Sequence, residues 1–471
     1  MTLHRLILSI IIVVCVEKLH AQDEGSYEIN LRIEGLEDSV AYLGYHLGNK
    51  RYYQDTSLVS KQGEVSFSND SRLKKGVYFL YAKTYYLEFL VNEQNFTLNT
   101  TKTDSYENMK IIDSPENEVF REFQLLMKAH QLKIRSLNDK LKTAASKADS
   151  VSVYEEAKTL GNQNIEYRKN LGSKYPDSYS SVLINLMISP KKDFSMDESL
   201  TVEERRKRYN EYKESFLSGI DFKDEGTLRA PVFHGRIMEF MDKVTLQNPD
   251  SVISSIDDVL GKSEGNDEMF RYWVSQFVQK YQKSKVMGLD KAFYHLAANY
   301  YMKGKVTWAS DETIEKITEE MDFMRENQMG MMAPRLYLLD TLLDPISLRS
   351  IDADYTVLYF YSPNCGHCKK MTPVMLDVYH TLQPDGVEVL GVDVDTDIDK
   401  WKAFILEHQL DWINAADPFT RSNFRRQYDT RLTPAIYILD RDKKIIAKKL
   451  GVEQIEGFIR DRIKFDNREK L

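Results

Sequence analysis

Cysteine is nearly absent from this chain, with three among 471 residues: Cys15, Cys365 and Cys368. A fold stapled by several disulfides is excluded. Basic charge is not in excess either, since 64 Lys and Arg face 72 Asp and Glu for a net charge of -8. The clustered cations that a phosphate backbone requires are missing, which excludes nucleic acid as a partner. Long hydrophobic runs are also lacking. The apolar stretch from Leu6 to Val16 has eleven residues, short of the roughly 20 that cross a bilayer as a helix, and no transmembrane span is expected in the mature chain.

What is present reads as soluble and multidomain. Apolar residues make up 42% and charged residues 29%, enough for real cores, and the length calls for about three domains. Charge runs such as Glu203 to Arg208 read as a solvated helix face. The N-terminus opens with His4 and Arg5, continues with the apolar stretch and ends in small and polar residues at Ala21. This is the order of a secretory signal over residues 1–21, with cleavage expected after Ala21 and export to the periplasm or cell envelope. Cys15 raises the alternative of a lipid anchor, but Val14 is bulky for the position before a lipidated cysteine. With Cys15 removed, the two remaining cysteines stand in one C-x-x-C and are free to cycle.

Periodicity divides the rest. From about residue 24 to 110, short runs alternate with period two, as in Tyr27, Ile29, Leu31 and Ile33, and predict a small antiparallel β sandwich. Its many tyrosines read as sheet packing rather than a binding face. At Ser114-Pro115-Glu116 a capping residue, a first-turn proline and an acid coincide, and helical spacing begins with Val119, Phe120 and Phe123. It continues to about residue 328, predicting an all-α domain over 113–328. Methionines crowd Met321, Met324, Met329, Met331 and Met332; thioethers can hold Cu(I), but soft packing is their usual use.

From residue 330 to 471 the rhythm is βαβ and then mixed. The strand Tyr355 to Tyr361 enters the loop Ser362-Pro363-Asn364, and Cys365-Gly366-His367-Cys368 opens a helix. Placed there, Cys365 meets exposed backbone N–H groups and the positive helix end, which stabilise a thiolate and make it the attacking sulfur. Cys368, one turn deeper, is placed to resolve a mixed disulfide. His367 puts partial positive charge nearby, favouring the reduced form and a more oxidising couple than proline would. Gly366 shares that tuning position. Half of a zinc site is the alternative for C-x-x-C, but no further cysteine is available and the histidines are scattered. Neither metal nor cofactor is expected beyond the redox disulfide itself.

These motifs resemble the thioredoxin superfamily, and in particular its exported TlpA-like branch. The likeness rests on the C-G-H-C run, Pro373 within the helix, Thr433-Pro434, and Gly451 before the last helix, with an insertion from Lys400 to Trp412. It implies a thioredoxin-like α/β domain with a mixed sheet, a cis Pro434 beside the cysteines, and Thr433 as the residue whose backbone docks substrate chain. It also implies protein thiols or disulfides as substrates and a membrane thiol-disulfide donor or acceptor as partner. Two departures stand out. Asn364 replaces the usual tryptophan before the first cysteine, and Tyr359 stands where the family has a buried carboxylate, leaving water as the default acceptor for the Cys368 proton. The preceding residues resemble uncharacterised β and helical domains of Gram-negative envelope proteins, through phrases such as Gly219 to Glu225, Ala230 to Phe233, Asn248 to Ile253 and Met287 to Asp290.

The fold class expected is therefore multidomain α+β: β sandwich, helical domain, thioredoxin-like domain. The leading function is a periplasmic thiol-disulfide oxidoreductase, reductase favoured over oxidase or isomerase. The alternative is an envelope binding or scaffold protein with an auxiliary thioredoxin-like domain, although a scaffold has no need to keep the cysteine pair together with Thr433-Pro434.

Overall fold

The computed structural model describes residues 25–37, 39–83, 85–144, 146–190 and 200–469. The expected signal segment, its cleavage point and Cys15 lie outside the described residues. The chain divides into two compact units: the first runs to Lys191 and takes in Gly219–Arg236, and the second comprises Lys192–Ser218 and Ile237–Leu471.

The first unit opens with β1 (Tyr27–Glu34), β2 (Val40–Leu47), β3 (Lys50–Leu58), β4 (Glu64–Asn69), β5 (Gly76–Ala82), β6 (Tyr85–Val91), β7 (Asn95–Thr101) and β8 (Lys110–Ile112). These make two four-stranded sheets, ordered β4-β1-β7-β8 and β3-β2-β5-β6. The alternation read from the sequence dictates which side faces in: Tyr27, Ile29, Leu31 and Ile33 of β1 are buried, and Leu43, Leu80, Leu87 and Phe96 join them in one core. The expected sandwich is present, with one refinement. β1 and β7 pair in parallel, because the chain between them passes through the second sheet and returns, the long connection a parallel pair requires. The tyrosines divide between roles: Tyr27 and Tyr78 are in the core, whereas Tyr53 is 62% exposed.

Three helices follow in this unit: α1 (Pro115–Lys142), α2 (Lys147–Lys174) and α3 (Tyr179–Leu186). α1 begins where capping chemistry requires, with the Ser114 hydroxyl accepting the Asn117 N–H at 3.3 Å. The Asn117 amide then bonds both backbone groups of Leu90, each at 2.8 Å, and joins the helix to β6. The buried Glu116 carboxylate accepts the first N–H groups of α3, from Tyr179 at 2.8 Å and Ser180 at 3.1 Å, an anion placed at a positive helix end.

The second unit contains α4 (Val202–Leu217) and, after α5 (Pro231–Glu239), within which the division falls, α6 (Pro249–Ser263), α7 (Asp267–Gln282), α8 (Asp290–Leu296) and α9 (Asp311–Met324). Single π-helical turns, Phe240–Val244 and Ala297–Tyr301, extend α5 and α8. Trp273, Phe277, Phe293 and Ile256 are fully buried among these helices. Of the crowded methionines, Met321 and Met324 are buried, whereas Met331 and Met332 are exposed. Among the described residues, no helix is long and apolar enough to cross a membrane.

The C-terminal part of this unit runs β9 (Tyr337–Leu339), β10 (Pro345–Ser347), β11 (Tyr355–Tyr361), α10 (Gly366–Leu382), β12 (Val387–Asp393), α11 (Ile398–His408), β13 (Ile413–Ala416), α12 (Phe424–Gln427), β14 (Ala435–Leu439), β15 (Ile445–Lys448) and α13 (Val452–Glu469). One seven-stranded sheet results, in the order β10-β9-β13-β12-β11-β14-β15. Every residue of β11 is buried, because this central strand has a core on each face: Val357 and Tyr359 with Met375 and Trp401 on one side, Leu358 and Phe360 with Phe424 and Tyr437 on the other. β11 pairs parallel with β12 and antiparallel with β14, so the sheet is mixed, as expected. The short β9–β10 hairpin was not read from the sequence. At the far edge the Lys448 ammonium, 1% exposed, lies 2.7 Å from the Asp290 carboxylate. The ammonium also donates to Asn327 Oδ1 at 3.1 Å.

Candidate functional site

The C-terminal end of β11 delivers the chain to the edge of the sheet, and α10 starts within five residues. The turn between them is held by Asp395, just past β12. Its Oδ2 accepts from the Ser362 hydroxyl at 2.7 Å and the Asn364 amide at 2.8 Å, while Ser362 Oγ accepts the Asn364 N–H at 3.0 Å. This presents Cys365 as the residue that caps α10: its Sγ accepts the Cys368 backbone N–H at 3.3 Å. At the other side of the sulfur lies Thr433, whose carbonyl accepts the Cys365 S–H at 3.4 Å. The Thr433-Pro434 peptide is cis.

The structure thus brings Cys365, Cys368, Thr433 and Pro434 together. Both cysteines are free thiols, Cys365 half-buried and Cys368 fully buried. The two thiols are pushed in opposite directions. Partial burial works against ionisation of Cys365, but hydrogen bonds from the Thr433 side chain, from the Cys368 thiol and from the Cys368 and His367 backbone outweigh it and hold the thiol below its ordinary value. Deeper burial pushes Cys368 up to about 11, and the neighbouring Cys365 adds to that. The first sulfur is therefore the one that ionises and the second the one that keeps its proton. His367 is exposed and contributes its backbone N–H. Gly366 has open space where a side chain would stand, so packing does not demand glycine there.

Behind the pair the apolar wall is aromatic. The Tyr359 hydroxyl shares a 3.0 Å hydrogen bond with Thr372 of α10. Its ring stacks on Tyr361 at 5.7 Å, whose hydroxyl accepts from Trp401 Nε1 at 3.1 Å. Sequence reasoning missed two acids. Asp395 orders the turn, and Asp393 pairs in register with Tyr361 across β11 and β12. Asp393 is 1% exposed. Burial pushes its carboxyl up to about 7, the Asp395 N–H pulls down, and the Asp395 charge adds to the rise. The signal was available in the acidic run Asp393-Val394-Asp395-Thr396-Asp397, since the carboxyl ends of parallel strands are where α/β folds place their sites.

Comparison with known proteins agrees with this geometry. Residues 329–448 match the AhpC/TSA family, while residues 143–327 and 27–120 match two domains of unknown function, DUF5106 and DUF4369. No curated protein matches the chain. Among solved structures, a domain of a possible thiol-disulfide isomerase from Cytophaga hutchinsonii is 31% identical, covering 30% of this chain and 95% of its own, with a TM-score of 0.28. The C-terminal domain of a putative thiol-disulfide oxidoreductase from Bacteroides thetaiotaomicron is 27% identical over 29% and 96%, with a TM-score of 0.27. A thioredoxin-like protein from Bacteroides caccae is 16% identical over 57% and 98%, with a TM-score of 0.44. A mixed sheet with its dithiol at the start of a helix, together with the match over residues 329–448, makes the C-terminal part of this chain a thioredoxin-like domain of thiol-disulfide oxidoreductase-like kind, preceded by additional β and helical regions.

Proposed function

We propose that the protein is an exported thiol-disulfide oxidoreductase that reduces disulfides of envelope proteins. The observation that carries this reading is the Cys365 sulfur serving as the cap of α10, with the Cys368 N–H at 3.3 Å and Thr433 against its other side. In the forward step the Cys365 thiolate attacks one sulfur of a substrate disulfide, the substrate S–S bond breaks, and one substrate thiolate leaves as the mixed disulfide forms. Cys368 then gives up its proton and attacks the Cys365 sulfur. The Cys365–Cys368 disulfide closes, the second substrate thiol departs, and two electrons have passed to the substrate. A membrane thiol-disulfide donor restores the dithiol.

Thr433 and Pro434 take the docking role, pairing substrate backbone beside the sulfur, and His367 adjusts the potential. Direction follows from the TlpA-like resemblance, whose members act as reductases fed from the membrane, and location follows from the secretory pattern of residues 1–21. The test is reduction of insulin by dithiothreitol, followed as turbidity, with the intact mature chain, with Cys365→Ser and with no protein. Acceleration by the first alone supports the reading, and three equal curves contradict it. A Cys368→Ala chain incubated with oxidised envelope extract should accumulate covalent adducts; their absence by mass spectrometry would count against protein disulfides as substrates.

A further inference from the structure

The segment that carries Thr433 and Pro434 does not stand alone; it is tied to α9 of the helical part, within the same compact unit. Arg431, two residues before Thr433, has its guanidinium between two carboxylates: Nη1 and Nη2 reach Glu320 of α9 at 2.7 and 3.1 Å, and Nε and Nη2 reach Asp429 at 2.6 and 3.1 Å. The same group lies over the Phe323 ring, 3.8 Å from its centroid. Paired bidentate contacts plus a stacked face fix both the position and the plane of a guanidinium, which no other side chain reproduces. Neighbouring contacts run alongside. Arg426 meets Asp322 at 2.6 Å, Gln427 donates to Glu326 at 2.8 Å, and the Asn327 amide donates to the Gln427 carbonyl at 2.8 Å.

A cleft of about 590 Å³ follows this seam past the docking pair, with Gln282, Glu320 and Met324 on the helical side and Leu432, Pro434 and Leu450 on the other. Leu432 is 84% exposed at its edge. Bidentate, networked contacts on part-buried carboxylates are the kind of ion pair that holds a geometry, and here they hold the chain two residues before Thr433.

We propose that Arg431 is a positioning residue that sets the substrate class: held by Glu320 of α9, it fixes the Thr433-Pro434 segment so that extended polypeptide disulfides dock beside Cys365. The inference rests on the function proposed above and gives the helical part a share in it. A small disulfide needs only the thiolate and is indifferent to the clamp, whereas a protein disulfide depends on docked backbone.

The experiment compares the mature chain with Arg431→Ala, Arg431→Lys and Glu320→Gln, each first shown to unfold with the wild-type thermal transition. Steady-state reduction is measured for insulin and for a small aromatic disulfide. Arg431→Ala should raise KM for insulin about tenfold with kcat within about twofold and the small-disulfide rate unchanged. Arg431→Lys should recover only part of the loss, since one ammonium cannot bridge both carboxylates in plane, and Glu320→Gln should fall between. An unchanged insulin KM in Arg431→Ala, or equal losses on both disulfides, would overturn the role of Arg431 and leave the redox function standing. If Arg431→Ala does not fold, Glu320→Gln decides on the same two readouts. A wild-type chain inactive on both disulfides would overturn the function and this inference with it.

Discussion

The N-termini of α6 and α10 are built on one plan and do different things. At α6 the Asn248 side chain accepts the Ser251 N–H at 2.9 Å, with Pro249 in the first position and Asp250 in the first turn. At α10 the Cys365 side chain accepts the Cys368 N–H at 3.3 Å, and the first turn holds no acid. The capping amide of Asn248 has no proton to lose in the ordinary pH range, so its hydrogen bond goes into helix stability. The capping atom of α10 is titratable, and the same kind of bond stabilises its anion. A device that elsewhere holds a helix end here sets the acidity of a nucleophile, and its first turn lacks the acid that would repel that anion.

The comparison can be broken most severely by Cys365→Ser. Serine is a good cap, so the thermal transition should move by less than about 0.5 kcal/mol, while exchange with disulfides falls to background; a large loss of stability would mean that the sulfur's packing, not its cap, matters. Next in size is Asp393→Asn. The Asp393 carboxyl has an ordinary value of 3.8 and a folded value of about 7, so its burial is harmless while it is protonated in both states. Wild-type stability is then lost progressively as pH rises from about 4 through 7. Asparagine cannot ionise, and the variant should be more stable at pH 8 by at most about 4 kcal/mol, with no gain near pH 4, as read from chemical denaturation at the two pH values. A gain at pH 4, or none at pH 8, would contradict it.

His367→Asp gives α10 an acid in its first turn, as α6 has. The alkylation midpoint of Cys365 should rise by roughly half a unit to one unit, with exchange at neutral pH several-fold slower. Smallest is Asn248→Ala, which should lower stability by about 1 kcal/mol and leave insulin reduction unchanged. A change in activity there would show that the two helix ends are not independent.

Much of the redox domain was legible because its signals are local. The run from Tyr355 to Tyr361, the C-G-H-C that follows and Thr433-Pro434 each declare themselves within a few residues. The β9–β10 hairpin was not legible, since three-residue strands carry no period. The parallel pairing of β1 with β7 depends on where a distant sheet sends the chain back, which alternation within a strand does not encode. The acidic run at the end of β12 marks a strand end, but which acid is buried beside Tyr361 and which holds the Ser362 turn is decided by packing, and Arg431 has its meaning only through α9. The division of the helical region between two compact units is likewise a property of packing, and helical spacing along 113–328 is continuous in kind.

The account depends on the two sulfurs being unlike, and site-resolved alkylation measures that directly. The fully reduced protein is pulsed with iodoacetamide across a pH series, and modification at Cys365 and at Cys368 is read by peptide mass spectrometry. Cys365 should react with a midpoint below that of an ordinary thiol, while Cys368 stays unmodified until the pH approaches 11. Two cysteines that titrate together, or a Cys365 no more acidic than a free thiol, would contradict the account.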